Sequence, residues 1–122
     1  MKREEIKSYK DACKVIGRKP RTYKDKHLNL YEQLSTIIAA LNFISNSNKP
    51  WTPKFDYYYI YSWLNRKAEY NKTAGLFYLD SVDGLDLSGA GVGTSLKIKE
   101  REDGNYIIKN FKKLLQDWFW GD

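Results

Sequence analysis

Leu30, Leu34, Ile37, Leu41 and Ile44 recur every three or four residues between positions 27 and 45. That is the period of an α-helix, and it puts all five on one seam. Tyr31 and Ile38 flank the seam. A helix this apolar has to be covered by the rest of the chain, so 27–45 reads as the central core helix. At 122 residues the chain makes one domain, large enough to close a core without disulfides or metal.

The other elements follow from the same periodicities. Ile6, Tyr9, Cys13 and Ile16 form an apolar stripe over 3–16, and Gly17 stands where a helix ends. Arg3, Lys7, Lys10 and Lys14 share a second face of that helix, a cationic ridge beside the buried stripe. Residues 18–26 are a polar connection, with Pro20 against helix. Residues 46–56 read as a loop broken by Pro50 and Pro53. Residues 57–63 alternate as a strand, with Tyr57, Tyr59, Tyr61 and Trp63 facing the central helix. A helix over 57–67 is the competing reading. Residues 64–74 read as loop, while 76–82 and 94–100 read as strands of a hairpin closed by a long glycine-rich loop. Residues 103–119 make a closing amphipathic helix with Asp103 as N-cap. The order α-α-β-β-β-α implies an α+β domain: two N-terminal helices, an antiparallel sheet of about three strands and a C-terminal helix.

Charge is segregated. Residues 1–26 hold ten basic and four acidic side chains and so carry the whole formal net charge of +6. Residues 27–122 form a neutral body with eleven of each sign. A cationic end on a neutral body points to an anionic partner. Lys7, Lys10, Lys14, Arg18, Lys19, Arg21, Lys24 and Lys26 are the expected contacts. Nucleic acid or a nucleoprotein complex is the leading partner, an acidic protein surface the alternative, and a purely solubilising face the bland account. Trp51, Trp118 and Trp120 are candidate aromatic anchors. The tyrosine-rich strand could also stack single-stranded bases, but a small domain has to bury its aromatics, which favours core.

No reaction is legible. With one histidine, His27, and one cysteine, Cys13, no zinc set or catalytic thiol or serine triad assembles. Cys13 lies on the apolar stripe and reads as a buried hydrophobe. Asp80, Asp83 and Asp86 have calcium-loop spacing only in part, since the twelfth position is Gly91. The run Gly89–Gly93 is not followed by the Lys-Ser/Thr of a phosphate loop. The chain therefore reads as a binding protein, with no enzyme activity, cofactor or metal expected. No secretory signal and no bilayer-length apolar run are legible, so neither a membrane partner nor export is expected.

Asp11-Ala12-Cys13-Lys14-Val15-Ile16-Gly17 with Pro20, the run Thr36–Asn42, Trp51-x-Pro53-x-Phe55, Gly93–Lys97 and the closing helix span most of the chain. Together they resemble a loosely defined group of small uncharacterised proteins from phages and mobile elements of Bacteroidota. The resemblance implies a phage or mobile-element origin and carries over no functional residues. By analogy of size and charge, the chain is similar to phage-encoded inhibitors of RNA-guided nucleases, the anti-CRISPR proteins. The expectation is an inhibitor of a host nucleoprotein defence complex, acting in the cytoplasm of an infected cell. The alternatives are a virion structural or packaging component, and a stand-alone nucleic-acid-binding accessory protein.

Overall fold

The computed structural model describes residues 2–51, 57–62, 77–82 and 96–120. A 3-10 turn at Arg3–Glu5 leads into α1 (Tyr9–Val15) and α2 (Lys26–Ser45). Strands β1 (Tyr57–Ser62) and β2 (Phe77–Val82) follow, and α3 (Arg101–Asn110) and α4 (Lys112–Trp120) close the chain. The expected loops over 52–56 and 64–74, Trp63, the acids Asp83 and Asp86, and the glycine run to Gly93 lie outside the described residues.

Helix α2 is the central element, as its seam requires. Leu34, Ile37, Ile38, Ala40 and Leu41 are buried, and Ile6, Ala12, Ile98, Ile107, Phe111 and Leu115 complete the core around them. Glu32, Ser35, Thr36 and Asn42 are buried as well, so α2 is enclosed on its polar side too. Asp25 caps its first turn, its carboxylate accepting the Leu28 N–H at 2.9 Å.

The α+β class with a three-stranded sheet does not hold. The protein is mostly helical, and the described strands form a two-stranded antiparallel ribbon running from Tyr57↔Val82 to Ser62↔Phe77. Residues 77–82 therefore pair with 57–62, not with 94–100. The third strand shrinks to one bridge, in which Tyr58 and Ile98 exchange both backbone hydrogen bonds at 2.8 Å. The segment ends where α3 begins at Arg101, and Asn42 closes its other edge. The Asn42 side-chain amide donates to the Lys97 carbonyl at 2.8 Å and accepts the Lys99 N–H at 2.9 Å. It thus takes the outward-facing backbone groups on either side of Ile98. The buried face of β1 also differs from expectation. Tyr58 and Ile60 pack on the core, and the ribbon lies against α3 where the central helix was expected. Tyr57 is buried too, with the Lys97 ammonium 4.4 Å from its ring centre.

Both terminal helices break where one was expected. The first splits at Ser8, whose hydroxyl accepts the Asp11 N–H at 3.2 Å and starts α1 afresh. Lys7 and Arg3 therefore leave the ridge, and only Lys10 and Lys14 share a face of α1. The last helix is interrupted at Phe111, where Asn110 turns its side-chain amide onto the Tyr106 carbonyl at 2.9 Å. The cap of α3 is Glu100, and Asp103 stands inside the first turn.

Candidate nucleic-acid interface

The structure sorts the cations of the N-terminal segment into two kinds. Arg3 and Arg18 are engaged by buried carboxylates. The Arg3 Nε donates to Asp103 Oδ1 at 2.7 Å, and the Ser45 hydroxyl donates to the other oxygen. Asp103 is fully buried. Its carboxylate holds the Arg3 guanidinium above its ordinary pKa, since it stabilises the charged form. The Tyr106 hydroxyl also donates to the Ile6 carbonyl at 2.7 Å, so the segment around buried Ile6 is strapped to α3.

Arg18 reaches the second carboxylate because of how α1 ends. Gly17 takes φ +66°, the left-handed region open to glycine. The Arg18 N–H then bonds the Cys13 carbonyl at 2.8 Å and the Gly17 N–H bonds the Lys14 carbonyl at 3.4 Å, a paired closure of the last turn. From there the Arg18 guanidinium meets Glu32 Oε1 at 2.9 Å. Tyr9 and Thr36 donate to Glu32 Oε2 at 2.8 and 3.1 Å. Glu32 is 5% exposed and thus fully committed inside.

The remaining cations face outward. Lys7, Lys10, Lys14, Lys19, Arg21, Lys24 and Lys26 are all exposed. The connection that carries them is pinned at alternate residues. The Arg21 N–H donates to the Tyr9 hydroxyl at 2.8 Å, the Tyr23 N–H donates to Asn29 Oδ1 at 3.2 Å, and Asp25 caps α2. Through Tyr9 and Arg18, the buried Glu32 anchors the whole run. The result is a cationic surface built from one face of α1 and a fixed connection. Sequence reasoning found its lysines but missed the network that holds them. The signal was an acid and a hydroxyl four residues apart, Glu32 and Thr36, in the helix that the seam marks as the core.

Tyr9 makes that network sensitive to alkali. Burial pushes its hydroxyl up to about 12 from 10.0, and the bond to Glu32 adds to the rise while the Arg21 N–H opposes it. The folded chain therefore holds this proton more tightly than the unfolded chain. The resulting stability is complete below pH 10.0 and is lost as pH rises to about 12. Tyr9→Phe should unfold more readily at neutral pH yet lose less stability across that alkaline window, as read from urea midpoints. Equal losses in both proteins would contradict the assignment.

The aromatic residues divide differently from the sequence expectation. Trp118 is half-buried, packs on the core and stacks on His27 at 4.4 Å with an interplanar angle of 18°. It is thus engaged within the chain, with Tyr31 tilted against it at 5.7 Å. Trp51 is half-buried, and Trp120 ends α4 with its side chain outside the described residues. Cys13 is a buried free thiol. Asp80 belongs to β2 and not to a loop. Among the described residues, no three His, Cys, Asp or Glu side chains gather to hold a metal ion. Among them, too, no helix is long and apolar enough to cross a membrane.

No protein-family model matches the chain. No curated protein is detectably similar to it. No solved structure matches its fold.

Proposed function

We propose that the protein is a non-catalytic binding module that docks on an RNA-bearing nucleoprotein complex of a host cell and blocks it, an RNA-guided nuclease being the concrete target. The supporting observation is the fixed cationic surface of Lys10, Lys14, Lys19 and Arg21, held in place by Glu32 beneath it. Cations on a fixed backbone suit a shaped phosphate surface because little loop entropy remains to be lost on docking. Because the cations contact phosphate, affinity falls steeply with salt.

The test removes the charge without touching the scaffold. Lys10, Lys14, Lys19 and Arg21 are replaced together by alanine, which leaves the Arg21 backbone bond to Tyr9 intact. The tagged variant and the parent are used to recover complexes from host lysate, with and without nuclease treatment. The parent should recover a nucleoprotein and inhibit target cleavage by it. The variant should keep its unfolding midpoint, lose inhibition, and flatten the salt dependence of binding by about one slope unit for each phosphate it no longer neutralises. Undiminished inhibition by the quadruple variant would sink the reading.

A further inference from the structure

Among the residues whose side chains are described, Tyr23 and Leu28 are the large hydrophobic residues left exposed, at 38% and 53%. Both belong to the cationic region. Tyr23 stands between Arg21 and Lys24 on the connection, and Leu28 lies in the first turn of α2. The other tyrosines whose side chains are described are half-buried or buried. An aromatic ring left in water amid lysines, where the other described tyrosine rings are covered, has a use outside the core.

Its backbone is fixed, because the Tyr23 N–H is held by Asn29 and the Arg21 N–H by Tyr9. The Arg21 guanidinium lies within reach of the Tyr23 hydroxyl. The region thus offers an exposed ring with a cation at its hydroxyl, and Lys19, Lys24 and Lys26 add exposed cations along the same stretch. Phosphate alone would need only the cations, and duplex offers no ring to stack on. An unpaired base offers both a phosphate and a π-face.

We infer that the surface takes single-stranded RNA, with an unpaired base stacked on Tyr23 and its flanking phosphates on Arg21 and Lys24. This rests on the reading above, that the cations meet RNA.

The experiment compares a labelled RNA strand of about 16 nucleotides with the same strand annealed to its complement, by fluorescence anisotropy at about 50 and about 200 mM salt. The proteins are the parent, Tyr23→Ala, Tyr23→Phe and the quadruple alanine variant. Tyr23→Ala should weaken single-strand binding about tenfold, leave duplex binding unchanged, and leave the salt slope unchanged. Tyr23→Phe keeps the ring and should bind within about twofold of the parent. Equal loss for strand and duplex, or no loss in Tyr23→Ala, overturns the stacking site while leaving the cationic reading standing. If the parent binds neither strand nor duplex, both fall together. Unfolding midpoints taken on the same samples confirm that each variant is folded, as expected for an exposed position.

Discussion

Replacing Arg3 by alanine should cost the fold about 3–5 kcal/mol, the largest effect expected of any charged position here. The loss comes from what remains behind. Asp103, on α3, is fully buried, and without Arg3 the partner left to its carboxylate among the described residues is the Ser45 hydroxyl. A buried carboxylate with no countercharge is among the most costly groups a protein can hold. Domains are stable by only about 5–15 kcal/mol, so the variant should be visibly marginal in urea. The triple replacement Arg3→Met, Asp103→Leu, Ser45→Ala should recover most of the loss, because it removes the polar groups together and leaves none orphaned. An Arg3→Ala protein with the parent's unfolding midpoint would show that Asp103 does not depend on this pair.

Glu32→Ala should have the next largest effect, and a different character. About 2–3 kcal/mol should go, since Tyr9 and Thr36 lose their acceptor while Arg18, already 38% exposed, can turn to water. The more telling result is on binding. No cation is removed, so the net charge becomes more positive. Yet affinity for RNA should drop about tenfold, because the connection from Arg18 to Asp25 has lost its anchor and must be ordered on docking. Hydrogen exchange should quicken at the Arg21 amide, which Tyr9 holds in the intact network. Tighter binding by this variant would mean that charge alone, and not its fixed placement, governs the interaction.

The two arginines explain much of what could and could not be read from the chain. The seam of α2 was legible because five apolar residues at one period leave no other regular structure that buries them. Gly17 was legible as a helix end because its conformation admits few other residues. The break at Ser8 was missed although Ser8 and Asp11 have the spacing of a cap, because the stripe of Ile6, Tyr9 and Cys13 runs straight through it. The break at Phe111 was hidden in the same way, since the apolar phase is kept across it and only an amide contact from Asn110 marks it. The third strand failed because Leu96 to Lys99 has a strand's pattern, but α3 takes over at Arg101 and a side chain more than fifty residues earlier fills the segment's outer backbone groups. In the candidate site, the lysines could be named from composition. Arg3 and Arg18 look identical to the outward cations in sequence, and only the positions of Asp103 and Glu32 in space tell them apart.

Asn42 has one more consequence. A run of backbone with unsatisfied donors and acceptors is a template on which a stranger's chain can be laid down, and a crowded cell supplies many such chains. At 97–99 that template is filled from within. Ile98 gives its pair to Tyr58, and one amide copies the partner strand that would otherwise be recruited from outside. A buried position where another leucine would extend the core instead keeps that edge satisfied within the fold.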